Sequence, residues 1–321
     1  MSVVATAAPD RAQHQRRDFA IAGVLMLALI AAAPFFVYPF FVMEMLCVAL
    51  FACAFNLLIG YVGLLSFGHA MFFGMASYVS AHAAKVWELD PLLAILCGVA
   101  VAAAMGLVAG ALAIRSTGIY FAMITVALSQ MVYFFCVEAP FTHGEDGIQS
   151  VPQGRVLGLF DISNTTNLYI FVAVIFVLGF LFVYRTINSP FGEILKAIRE
   201  NQPRAISLGY RVPLYKLAAF VLSAGLAGLA GATKALVVQN ASLSDVGFQM
   251  SGEVVLMTLL GGMGTLYGPV VGAVVVVSMQ NYLAQYGEWV TVIQGAVFVA
   301  CVLLFRRGIV GEIAHWAGLS L

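Results

Sequence analysis

Ten stretches of almost uninterrupted apolar residues, most of them close to twenty residues long, constrain every fold this chain can adopt. They lie near 19–38, 40–60, 63–84, 91–114, 118–137, 168–187, 215–239, 248–264, 269–286 and 289–305. An α-helix needs roughly 20 apolar residues to cross the hydrocarbon of a bilayer. Folded in water, so many apolar runs would leave large exposed patches and aggregate. The composition agrees: 62% hydrophobic and 9% charged residues, against about 25% charged in an ordinary soluble domain. A soluble enzyme, a secreted disulfide scaffold and a disordered tail protein are excluded. So is a nucleic-acid binder, which needs a basic surface where the formal net charge here is +0. The predicted fold class is all-α, a polytopic integral membrane protein with about ten transmembrane helices (8–10). Pro34 and Pro39 alone separate the first two runs, so a single bent hairpin is an alternative there. Gly261, Gly262 and Gly264 break the eighth run.

Charge gives the orientation. With the N-terminus in the cytoplasm and the loops alternating, twelve of the fifteen basic residues fall on the cytoplasmic side. These are Arg11, Arg16, Arg17, Arg115, Arg185, Lys196, Arg199, Arg204, Arg211, Lys216, Arg306 and Arg307. Only Lys85 and Arg155 fall outside, and Lys234 lies within a span. The outer segments carry Glu88, Asp90, Glu138, Glu145, Asp146, Asp161, Asp245 and Glu288. The net zero is thus a cancellation between two oppositely charged faces. The expected organisation is a cytoplasmic segment 1–18, a transmembrane domain 19–305 and a cytoplasmic tail 306–321. Within the domain stand an outer loop, 138–167, and an inner segment, 188–214. The basic N-terminus followed by an apolar run suggests a signal peptide. That run reaches about Tyr38, beyond a usual h-region of roughly 7–15 residues, and reads as a retained first span. Cys47, Cys53, Cys97, Cys136 and Cys301 all lie in apolar runs without a C-x-x-C pair. They read as small buried hydrophobes rather than disulfides or metal ligands.

No phosphate-binding G-x-x-x-x-G-K-[ST] loop, H-E-x-x-H or G-x-S-x-G sequence occurs. Catalytic residues and metal ligands are accordingly assigned none. Polar residues inside spans are the ones that need explaining, because an intramembrane ionisable group is costly. Glu44 reads as an acid near the outer interface rather than a proton-carrying group, and Lys234 as a snorkelling cation. Glu253 opens the eighth span as an interfacial acid, and Gln130, Gln280, Asn281 and Gln294 suit hydrogen bonds between helices. Ser66, Gly68, His69 and Gly74 lie in a glycine-rich stretch beginning at Gly63. It is either a helix break lining a translocation path or a small-residue packing face with His69 bonded to a neighbour. A second break, Gly261, Gly262, Gly264 and Thr265, follows about 200 residues later. Such pairing hints at inverted repeats around a central path. The inner segment is amphipathic: Phe191, Ile194, Leu195 and Ile198 recur at helical spacing, opposite Lys196, Arg199 and Glu200. Asn188 and Ser189 suit its cap, Pro190 its first turn, and Pro203 its end.

Several blocks, in order, resemble the branched-chain amino acid ABC transporter permeases of the LivM type. They are GLLSFGHAMFFGMASY (63–78), GIYFAMITVALSQMVYF (118–134), GEDGIQSVP (144–152), SPFGEILKAIRENQPRAISLGY (189–210), YKLAAFVLSAGLAGLAGA (215–232) and GGMGTLYGPVVGA (261–273). The resemblance implies an importer permease in a bacterial inner membrane, with both termini cytoplasmic. It also implies a LivH-type permease partner, two cytoplasmic ATP-binding subunits that bind ATP and Mg, and a periplasmic binding protein. On that pattern the chain is not an enzyme and holds no cofactor, and lipid surrounds it. The family's ATPase-coupling segment falls on Gly192, Ala197, Arg199, Glu200, Asn201, Ala205 and Gly209, with Arg199 and Glu200 pairing with the ATPase. Glu193 stands where the family often has a basic residue, and Tyr267 where Trp is common. Glu145 and Asp146 fall where a binding protein would dock. Close relatives that import urea, short amides or aromatic acids share these motifs. A secondary transporter would need a buried ion-coupling site, for which only Glu44 and His69 are candidates.

Overall fold

A computed structural model of the chain describes residues 8–156, 158, 160–287, 289–304 and 308–317. The start of the N-terminal segment (1–7), Glu288, Arg306, Arg307 and the last four residues of the C-terminal tail lie outside the described residues, as do the side chains of Arg11, Arg16 and Arg17.

The chain is a helical bundle. Helices α1 (Ala8–Phe36), α2 (Pro39–Tyr61), α3 (Ala70–Lys85), α4 (Pro91–Ala113) and α5 (Ile119–Glu138) precede a loop. The loop carries β1 (Ile148–Gln149), β2 (Arg155–Val156) and β3 (Phe160–Asp161). Helix α6 (Thr165–Ile187) follows, then the short α7 (Pro190–Glu200) and α8 (Gln202–Ser207), and the long α9 (Val212–Val238). Strand β4 (Asn240–Ala241), α10 (Leu243–Val246), α11 (Phe248–Gly261), α12 (Gly268–Leu283), α13 (Trp289–Leu304) and α14 (Gly308–Ala317) complete it. Val37 and Tyr38 separate α1 from α2, so the first two runs are distinct helices.

Among the described residues, five helices, α2, α4, α5, α6 and α9, are long and apolar enough to cross a membrane. Shorter apolar segments are Ile21–Phe36, Phe248–Gly261, Gly268–Leu283 and Val292–Cys301. The third predicted span is corrected. Residues 63–69 are not helical, and α3 has only 16 residues. That is about 24 Å of helix against a hydrocarbon thickness of about 30 Å. The helix tolerates this because it is enclosed by protein: α9, α4 and α10 pack around it, and its apolar residues from Ala70 to Phe73 are fully buried.

Helix α2 is the buried core element, touching α9, α6, α12 and α11. Close packing rests on small residues, as it must where lipid is as apolar as the side chains. A Cβ added at Gly231 of α9 would stand 1.9 Å from the Phe73 carbonyl oxygen. One added at Gly272 of α12 would stand 1.8 Å from that of Met257 in α11.

Two ends of the bundle follow. One holds the loop between α5 and α6, with β4 and α10. The other holds α7 and α8.

Candidate functional site

At the α7 end the amphipathic pattern forms the expected helix. Ser189 caps it, its hydroxyl accepting from the Gly192 amide at 3.4 Å, and Pro190 occupies the first turn. Leu195 and Ile198 are buried, whereas Glu193, Ala197 and Glu200 are exposed. Lys196 and Glu193 form an exposed ion pair at 2.8 Å. Gly192 has no room for a side chain, since a Cβ would lie 2.1 Å from the Ile187 carbonyl oxygen. This lets α7 turn off the end of α6.

Pro203 does not end this helix. The chain leaves it at Asn201, whose φ of −153° is extended, and Pro203 sits in the first turn of α8. A proline fits there because the first-turn amides have no helical partner. The Asn201 Oδ1 caps α8 by accepting from the Arg204 amide at 3.1 Å. Ala205 is buried in a small cluster with Ile198 and Val212. Gly209 leaves α8 at φ +88°, a conformation that favours glycine.

The two glycine breaks meet here. Asn56 of α2 donates from Nδ2 to the Thr265 carbonyl at 2.8 Å and accepts at Oδ1 from the Gly264 amide at 3.0 Å. Thr265 ties the turn before α12: its hydroxyl accepts from the Gly268 amide at 3.1 Å and donates to the Gly262 carbonyl at 2.8 Å. A Cβ on Gly60 would fall 2.8 Å from the Gly264 nitrogen. Arg199 reaches inward and donates to the Gly60 carbonyl, with its stem against Gly63 and its guanidinium beside Gly264. Arg199 thus joins α7 to both breaks, rather than pointing only away from the bundle. Gly261 brings α11 and α12 together, because its Cβ would stand 1.8 Å from the Gly268 carbonyl oxygen.

Ser66, Gly68 and His69 lie deeper and are packed in the core. The His69 Nε2 and the Ser223 hydroxyl are 2.8 Å apart, and that hydroxyl donates to the Ala54 carbonyl at 2.5 Å. Phe55, Phe72 and Phe220 meet the imidazole edge-on. The Ser66 hydroxyl accepts from the Gly68 amide at 3.3 Å. A Cβ on Gly68 would lie 2.3 Å from the Thr125 carbonyl oxygen. The Ser251 hydroxyl accepts from the Ala70 amide at 3.0 Å, satisfying an otherwise orphaned donor at the start of α3. The imidazole is thus bonded to a neighbouring helix, at the end of a stretch, 63–69, that is not helical. Gly74 belongs to α3 itself and admits α10, with Val246 2.4 Å from the position of its missing Cβ.

At the loop end, Glu145 and Asp146 are exposed in a 3₁₀ turn, Gly144–Asp146. The loop is fixed to the bundle. Strand β1 pairs antiparallel with β4, Ile148 opposite Ala241. The Lys85 ammonium donates to the Gln149 carbonyl at 2.8 Å. Gly147 has φ +69°, and its Cβ would lie 2.3 Å from the Ala241 carbonyl oxygen.

Just beyond β4 lies a cluster that sequence reading assigned only singly. Lys234 is not a snorkelling cation; it forms an ion pair with Asp245 of α10. Asp245 is 3% exposed, so it leaves the count of outer-face acids. Glu44, Glu253, Gln280 and Asn281 line one cavity with Lys234. Four helices contribute, and no local motif links them. Their one shared signal was that each placed a polar group near the same end of its span.

The model of the family described as the branched-chain amino acid transport system / permease component matches residues 37–302. The chain belongs to this permease family. It is 25% identical over 283 residues to the high-affinity branched-chain amino acid transport system permease protein LivM of Salmonella typhimurium, and equally so to that of Escherichia coli. Each match takes in 79% of this chain and 65% of the relative, so the chain spans a little under two thirds of the length of those LivM proteins. No solved structure matches it. Family members are transport components, and an all-α membrane permease accounts for the apolar helices described above.

Proposed function

We propose that the chain is the transmembrane permease subunit of an ATP-driven importer for branched-chain or related amino acids. It forms the translocation path with a second, LivH-type permease subunit in a bacterial inner membrane, both termini in the cytoplasm. Two cytoplasmic ATP-binding subunits bind ATP and Mg and supply the energy, and a periplasmic binding protein delivers the substrate at the loop end. The chain itself hydrolyses nothing and holds no cofactor.

The observation that carries this reading is α7. Its apolar face is anchored in the bundle, with Leu195 and Ile198 buried, each worth about 1.5–3 kcal/mol of apolar transfer. Its other face, with Glu193, Ala197 and Glu200, is open to a partner. Closure of the ATP-binding subunits shifts α7, and Arg199 carries the shift to Gly60 and to the second break, so α2, α11 and α12 move with it. The glycines at the breaks, Gly63, Gly262 and Gly264, all at positive φ, are where the path flexes.

The test is uptake into proteoliposomes holding the assembled transporter. ATP-dependent accumulation of L-leucine, independent of imposed ion gradients, is the expected result. ATP-driven uptake of urea or an aromatic acid without leucine would reassign the substrate. Uptake driven by an ion gradient without ATP would make the chain a secondary transporter.

A further inference from the structure

We propose that the cavity between α2, α9, α11 and α12 is a binding site for a zwitterionic α-amino acid with an apolar side chain. The proposal rests on the importer reading and names where, within the permease, the substrate is held.

The cavity measures about 310 Å³, at the lower end of the roughly 300–1,000 Å³ usual for small-ligand pockets. Along the bundle a polar band lies between apolar residues, with Phe41, Met250 and Ala284 toward the loop end. Helices α2 and α11 run from the loop end inward, and α12 runs back. Val48, Met257 and Val277 therefore form the deepest layer, and all are apolar. About one turn nearer the loop end stand Glu44, Glu253 and Gln280, with Lys234 among them. A molecule whose charged groups meet the polar band and whose apolar part meets Val48, Met257 and Val277 fits this lining.

The charges say what head. The Lys234 ammonium has three donors, one of them used by Asp245, which leaves the others for the cavity it lines. Glu44 and Glu253 line the cavity with Lys234, so two carboxyl groups stand beside one cation already paired with Asp245. Such uncompensated charge between helices is costly and marks function. An α-ammonium placed between Glu44 and Glu253 supplies the missing positive charge, and the adjacent α-carboxylate takes the remaining Lys234 donors. A carboxylic acid alone would meet two acids. An amine alone would leave those donors unused.

The experiment is equilibrium binding of radiolabelled L-leucine to the assembled transporter in nanodiscs, without binding protein. Competitors are 3-methylbutylamine and 4-methylpentanoate, which keep one charge each. Leucine is expected to bind, with either competitor weaker by about tenfold or more, the scale of one lost charged hydrogen bond. Glu253→Gln and Lys234→Met should each weaken leucine by about tenfold or more, and Glu253→Asp should recover part. Val277→Phe keeps every charge and fills the inner layer. It should shift preference from leucine toward alanine by about tenfold, which keeps the test open if a charge variant fails to assemble on size exclusion. If the wild type imports leucine while all variants bind it unchanged, or if either competitor matches leucine, the site is wrong and the importer reading stands. If the wild type neither binds nor imports amino acids, the importer reading falls and the site with it.

Discussion

Arg199 of α7 donates a hydrogen bond to the backbone carbonyl of Gly60, where α2 ends. That one contact spans 139 residues of sequence and places the guanidinium beside Gly264 of the second break. Arg199→Ala is expected to leave the bundle folded, because Leu195 and Ile198 still anchor α7. It removes the tie between α7 and α2. A hydrogen bond with a charged partner is worth about 1.5–3 kcal/mol, so transport per ATP hydrolysed should fall by roughly tenfold. Parallel measurement of ATP hydrolysis and leucine uptake in proteoliposomes checks it, and an unchanged ratio would rule out Arg199 as the link.

The tight contact of α11 with α12 predicts a steep dependence on side-chain size at one glycine of this helix pair and none at another. A Cβ at Gly272 would stand 1.8 Å from the Met257 carbonyl oxygen and 3.0 Å from the Gly261 nitrogen. Gly272→Ala must push two helix backbones apart, at about 1–3 kcal/mol or more. Gly252 of α11 has nothing within 4 Å of its missing Cβ, so Gly252→Ala should be neutral or gain up to about 1 kcal/mol of helix propensity. Thermal unfolding of the two variants in detergent compares them directly. Equal melting points would contradict the packing described.

Much of the fold was legible because periodicity and hydropathy are local. Runs 40–60, 91–114 and 168–187 became Pro39–Tyr61, Pro91–Ala113 and Thr165–Ile187, with Asp90 and Asn164 capping the latter two. The amphipathic α7 was legible down to Ser189. What failed was contact between distant segments. Residues 63–69 are apolar enough for a span, yet Gly63 at φ +78° and the hydrogen bonds of the Phe67 and Ala70 amides to Thr125 and Ser251 keep them out of a helix. Lys234 resembled an interfacial cation because its partner, Asp245, sits on a separate short helix that dips back against Gly74. The inward reach of Arg199 had no sequence signal, since an arginine on a polar helix face serves equally well outward.

The Lys234–Asp245 pair makes its own stability prediction. Asp245→Asn leaves the Lys234 ammonium in a largely enclosed site without its counter-ion, and removing one partner of a buried pair costs about 3–5 kcal/mol. Lys234→Met combined with Asp245→Asn removes the stranded charge, so the double variant should be more stable than Asp245→Asn alone. A double-mutant cycle on thermal stability isolates the coupling. Additive losses would mean that the two side chains do not act as a pair.

The exposed acids of the loop end give the last prediction. Glu145 and Asp146 project from a turn whose backbone is fastened on both sides, by the Gly147 approach to Ala241 and by the pairing of Ile148 with Ala241. Replacing both with Ala removes two surface charges and touches none of those fastenings, so membrane insertion and subunit assembly should persist. Exposed charges across an interface act mainly on association rate and on its salt dependence. Uptake from a binding protein should therefore fall several-fold at low ionic strength, and the difference from wild type should shrink as salt screens it, with a Debye length of about 8 Å near physiological strength. Gly147→Ala is the contrasting case, since it prises the whole loop off β4 and should lower uptake at every salt concentration. If the double alanine variant takes up substrate like the wild type at low salt, the binding protein docks elsewhere.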